Sequence, residues 1–74
     1  SPTTVAYEIF REIRKIGESG ESQRIVIGAH PSVAGLLQDE ERQGLEMLER
    51  ECSAKIIITP DSQLHLEQYD LVAL

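Results

Sequence analysis

Seventy-four residues make one small domain, because a chain this short buries only about 60% of its unfolded surface. An apolar share of 41% and a charged share of 27% exclude a disordered segment. The formal net charge of −6 repels phosphate, so the segment alone is a poor candidate for non-specific nucleic-acid binding, which depends on Lys and Arg. Aromatic residues are only 4%, so the core must come from Ile, Leu and Val. Such a core is thin, worth a few kcal/mol at most, and support from a neighbouring domain or a second copy is expected. The single cysteine, Cys52, has no internal disulfide partner, which fits a reducing compartment. Apolar runs stop at three or four residues, as in Ile56-Ile57-Ile58, and no membrane span or signal peptide is read. A cytoplasmic chain is expected.

In chain order, Thr4 is placed to open a first helix, with Pro2 and Thr3 leading in. Val5, Ala6, Ile9, Phe10, Ile13 and Ile16 then fall within one stripe of about 140°. Glu8, Arg11, Glu12, Arg14 and Lys15 fill the rest of the circle, and Gly17 is expected to end the helix. GESGESQ, residues 17–23, reads as a polar loop. Arg24 to Ala29, RIVIGA, is β-branched and bounded by that loop and Pro31, so it reads as a buried strand. Pro31 suits the first turn of a second helix, with His30 just before it and Val33, Leu36 and Leu37 on one face.

Asp39 is expected to cap a third helix running from about Glu40 to Cys52, with Leu45, Leu48 and Cys52 as its apolar seam. Gly44 lies inside that helix, where Gly costs about 1 kcal/mol relative to Ala unless a close helix contact requires it. Lys55 to Thr59 reads as a second strand, ended by Pro60-Asp61, and Tyr69 to Leu74 as a third. The order α-β-α-α-β-β predicts an α+β fold, a three-stranded mixed sheet packed by three helices. A helical crossover requires the first two strands to be parallel, and the third should run opposite to the second. The apolar run of the third strand leans towards a central place in the sheet.

Candidate chemistry is sparse. His65 and Glu67 point the same way on an extended chain and offer two metal ligands, but no third group stands at a useful spacing. A hydrogen-bonded or salt-bridged turn is the better reading. Cys52 lies on an apolar seam, as an inert core thiol does, rather than as a nucleophile paired with His30 or His65. Gly17-Glu18-Ser19-Gly20 has the GxxG spacing of a backbone clamp, yet it stands between a helix and a strand and holds a glutamate. The strand-helix-helix-strand-strand order also suggests a KH-like module, which clamps nucleic acid between its two helices. Here that junction reads Gln38-Asp39-Glu40-Glu41, and three carboxylates oppose a phosphate. One basic cluster, Arg11, Arg14, Lys15 and Arg24, offers an RNA-contacting face, offset by Glu12, Glu18 and Glu21.

TVAYEIFREIRKI, RIVIGAHPSVAGLL and LHLEQYDLVAL, in this order and spacing, resemble the ribonuclease E/G family over Thr4 to Leu74. The most specific stretch is His65-x-Glu67-Gln68-Tyr69-Asp70, supported by Glu8-Ile9-x-Arg11-Glu12-Ile13. The resemblance is to the small C-terminal domain of the catalytic region. It implies a parent that is a single-strand-specific endoribonuclease of RNA processing and decay. The parent would use magnesium held by aspartates, an RNA-binding domain, a sensor of the RNA 5′ end, and zinc at a Cys-x-x-Cys link. All of these would lie upstream of the present residues, and Cys52 does not match the zinc link.

The resemblance therefore carries over no catalytic, cofactor-binding or metal-binding residue. It implies a structural domain, a piece of a larger chain, that helps organise a homo-oligomer, with RNA engaged through the parent and no membrane partner. The alternative is an accessory domain touching RNA through Arg11, Arg14, Lys15 and Arg24. On either reading His65, Glu67, Tyr69 and Asp70 order the turn into the last strand.

Overall fold

A computed structural model describes residues 1–21 and 23–74. Its elements run α1 (Pro2–Ser19), β1 (Arg24–Ala29), α2 (Pro31–Gln38), α3 (Arg42–Cys52), β2 (Lys55–Pro60) and β3 (Tyr69–Ala73), in the order expected from the sequence. The sheet order is β2-β1-β3. β1 and β2 are parallel, with Val26 opposite Ile57, and β1 and β3 are antiparallel, with Val26 opposite Val72. The sheet is mixed, as the helical crossover required.

Alternation along the strands separates two faces. Ile25, Ile27 and Ala29 are fully buried and join Val5, Ala6, Ile9, Ile13, Val33, Leu37, Leu45 and Leu48 in one core. Ile56, and more loosely Ile58, Tyr69 and Leu71, turn to the same side. All three helices therefore lie against one face. Fully burying an Ile or Leu side chain is worth about 1.5–3 kcal/mol, and Ile9, Ile13, Ile25, Ile27 and Leu37 supply most of that gain.

Four local expectations are corrected. The first helix begins earlier than Thr4: Ser1 is its cap, accepting the Thr4 N–H at 3.4 Å, and Pro2 takes the first turn. It also runs through Gly17 to Ser19, ending where Gly20 adopts φ 69° and donates its N–H to the Gly17 carbonyl. Gly17 has a packing role instead: a Cβ there would overlap Cys52 Sγ of α3. Asp39 does not open α3. Its N–H bonds back to the Gly35 carbonyl at 2.9 Å, so it closes α2, and α3 starts after Glu41 with no side-chain cap.

The last correction concerns β3, which is an edge strand, while β1 takes the centre. β3 runs opposite to β2 but does not pair with it. The Asp61 N–H bonds the Ala29 carbonyl at 2.7 Å as the last rung between β2 and β1, and residues 61–68 then cross the end of β1. β3 is thereby delivered to the far side of the sheet.

Candidate functional site

Asp61 to Gln68 link β2 to β3, and two local bond sets shape that loop. The Asp61 carboxylate accepts the Gln63 N–H at 3.0 Å, and its carbonyl accepts the Leu64 N–H at 3.2 Å. At the other end the Gln68 side chain accepts the His65 N–H at 2.9 Å, while the Gln68 N–H donates to the His65 carbonyl at 3.0 Å. His65 and Glu67 are exposed there, and Leu66 turns inward against the core. Tyr69 is half-buried on the helix side. Burial, then the carboxylates of Glu12 and Glu8, push its phenol above the ordinary value, with Arg11 opposing. Asp70 is exposed and stands opposite Gly28 in the register.

The other groups singled out from the sequence are scattered. His30 caps α2, its Nδ1 accepting the Ser32 N–H at 3.1 Å. Cys52 ends α3 beneath α1, where burial, then Glu51, push its thiol up, with Arg14 opposing. Three separate elements thus hold His30, Cys52 and His65. Among the described residues, no group of three or more His, Cys, Asp or Glu is placed to hold a metal ion. The junction between α2 and α3 exposes Gln38, Asp39 and Glu40 beside half-buried Glu41, a negative surface.

Nor do the four basic residues form one patch. Arg11, Arg14 and Lys15 are exposed on α1, and two of them lie near carboxylates, Arg14 with Glu51 at 3.8 Å and Lys15 with Glu12 at 3.5 Å. Arg24 lies on the opposite side of the sheet. Its neighbour there is Lys55, in register on β2, a pairing the sequence does not reveal because parallel register is set by tertiary packing.

The sheet face away from the helices is the remaining surface of note. Val26, Ile57 and Val72 line up across all three strands and take no part in the core. Val72 is 50% exposed and Leu74 64%. Arg24 and Lys55 bound this apolar row at one end, and Gly28, Thr59 and Asp70 at the other. No described helix covers it. The sequence signal was present in the alternate residues of RIVIGA and KIIIT, but the continuous apolar run of RIVIGA read as a buried strand and the face beyond it went unremarked.

The molecule thus has a well-built core, a bare sheet face and no assembled group of reactive side chains among the described residues. The pattern of one family, "RNase E/G, Thioredoxin-like domain", matches residues 1–74. Over 71 residues the chain is 32% identical to ribonuclease G of Salmonella typhimurium, and equally to those of Escherichia coli and Shigella flexneri. Each match covers 96% of this chain and 14% of the relative, so the chain spans about a seventh of the length of these proteins. The chain has a single cysteine and therefore no Cys-x-x-Cys pair. By sequence pattern over its whole length, the chain belongs to the ribonuclease E/G family.

Proposed function

We propose that this chain is a non-catalytic structural and assembly domain of an endoribonuclease of the ribonuclease E/G type. On this reading it is the small C-terminal domain of the catalytic region, in a cytoplasmic parent that cleaves single-stranded RNA in RNA processing and decay. The observation that supports it is the bare row Ile57–Val26–Val72 in a chain matching a small share of its relatives. An apolar row left open by a small domain fits contact with further protein, here the rest of the parent and a homo-oligomer built from it. Magnesium and zinc would be held elsewhere in the parent, and RNA engaged there too. His65, Glu67, Tyr69 and Asp70 would serve the turn and its strand.

Sedimentation tests the assembly role. Association of the chain that grows with concentration, and is lost in Ile57→Lys with the fold intact, is the expected result; association unchanged by Ile57→Lys would contradict it. The alternative, an RNA-contacting domain using Arg11, Arg14, Lys15 and Arg24, is weakened by the carboxylates beside Arg14 and Lys15 and by the remote place of Arg24. Titrating labelled RNA at two salt concentrations separates the readings. Salt-sensitive binding lost on Arg→Ala changes favours RNA contact.

A further inference from the structure

The two edges of the sheet are built differently. In the parallel pair, the Lys55 N–H bonds the Gln23 carbonyl at 2.9 Å and the Asp61 N–H bonds the Ala29 carbonyl at 2.7 Å. Alternation then turns Lys55, Ile57 and Thr59 inward to β1 and sends the backbone groups of Ile56, Ile58 and Pro60 outward. The outward Ile56 N–H is taken by Glu49 Oε2 at 2.7 Å, and Pro60 has no N–H to offer. One donor, that of Ile58, is left. A capping carboxylate and a proline are devices that close a strand edge.

β3 carries neither device. Arg24 and Leu74 exchange both backbone bonds, at 2.8 and 3.3 Å, so Val72 and Asp70 likewise bond to β1. The N–H and C=O groups of Tyr69, Leu71 and Ala73 then point outward and find no partner among the described residues. Six groups at a two-residue repeat form a template for one more strand. The strand has no proline and one charge, Asp70, and Val72 beside it is half-exposed.

Charge decides what fits. Glu12 and Glu8 act on Tyr69 against the guanidinium of Arg11; Lys15 lies 3.5 Å from Glu12, but Glu8, and Asp70 on the other face, have no ion-pair partner among the described residues. The whole chain carries −6, so a second copy would bring the same sign to the same edge. We propose that the outer edge of β3 receives an extended segment of a partner protein that alternates basic and apolar residues, as a fourth strand. Its apolar side chains extend the row Ile57–Val26–Val72, and its basic ones face Glu8 and Glu12. The inference adjoins the apolar row used in the assembly role above, but it rests on the outward backbone groups of Tyr69, Leu71 and Ala73 and is read from their exchange alone.

The probe is a seven-residue peptide of alternating valine and lysine, blocked at both ends, titrated into the isotope-labelled 74-residue chain. Backbone amides of Tyr69, Leu71 and Ala73 should slow their hydrogen exchange by about tenfold or more on binding, while that of Ile58 does not change. Ala73→Pro removes an outward N–H without touching the β1 ladder, and should cut affinity by about tenfold with an unchanged circular dichroism spectrum. Should that variant unfold, Glu8→Gln with Glu12→Gln, both on the surface of α1, should still weaken binding several-fold and flatten its salt dependence. Binding without protection of those three amides overturns the proposal. So do equal binding of a valine–glutamate peptide and protection of the same amides by concentrating the chain alone.

Discussion

Replacing Gly17 with alanine adds one methyl group to α1, and the outcome depends on what already occupies that space. The new Cβ would overlap Cys52 Sγ and lie 2.9 Å from Cys52 Cβ and 3.6 Å from its Cα. Neither side can give way easily, since Gly17 is on helical backbone and Cys52 is anchored at the end of α3. Overpacking of this kind costs about 1–3 kcal/mol, and improved helix propensity returns about 1. Gly17→Ala should therefore destabilise the domain by up to about 2 kcal/mol, a large part of a total of a few kcal/mol. In a domain this small that lowers Tm by up to about 15 °C.

Gly44→Ala is the matched control, because its Cβ meets the Phe10 ring at 3.6 and 3.7 Å, ordinary contact. The same chemical change there should stabilise by about 1 kcal/mol. Thermal and urea unfolding followed by circular dichroism measure both. Combining Gly17→Ala with Cys52→Ala should be less damaging than the sum of the two alone, because the sulfur that clashes is gone. If Gly17→Ala raises Tm as Gly44→Ala does, or the double variant is additive, the packing argument is wrong.

Four further outcomes are expected. Glu49→Ala leaves the outward Ile56 N–H without its charged acceptor and should cost about 1.5–3 kcal/mol in urea unfolding; a loss below half a kcal/mol would show the bond to be idle. His30→Ala should lower stability by about 1 kcal/mol and His30→Asn should restore most of it, since the side chain acts as a helix cap. Ser53 closes α3 at φ 52°, so Ser53→Gly should stabilise by about 1 kcal/mol, and a decrease would count against strain there. The folded chain holds the Cys52 and Tyr69 protons beyond their ordinary values of 9.0 and 10.0. Their contribution is thus complete below about pH 9 and lost as pH rises through the raised values; the urea midpoint should fall less steeply in Cys52→Ala than in the wild type.

How much of this was legible depended on whether the signal was local. The apolar stripe of α1, the β-branched runs of β1 and β2, and Pro31 after His30 each report a nearby constraint, and each element formed at that place in the chain, although α1 extends beyond both of its expected ends. Gly17 misled because glycine is read as a helix stop, whereas here it admits the sulfur of a residue 35 positions on, Cys52. The difference is visible only in tertiary packing. Asp39 has the chemistry of a helix cap, but the chain had not yet left α2 when it reached that residue.

The edge position of β3 rests on its antiparallel pairing with β1, a long-range choice no propensity encodes. The same non-locality scattered the basic residues. Arg24 joined Lys55 across a parallel register, on the face opposite Arg11, Arg14 and Lys15. His65 and Glu67 drew notice by their spacing, while the side-chain bonds in their loop belong to Gln68 and Asp61, amide and carboxylate side chains that seldom stand out in a sequence.

The proposed division of labour, in which this domain lends structure while RNA is cut elsewhere, is tested most directly by incubating the chain with labelled single-stranded RNA and magnesium. The products should match those of a protein-free control at every time point. Cleavage at defined positions, retained through further purification and abolished by heat unfolding, would contradict it.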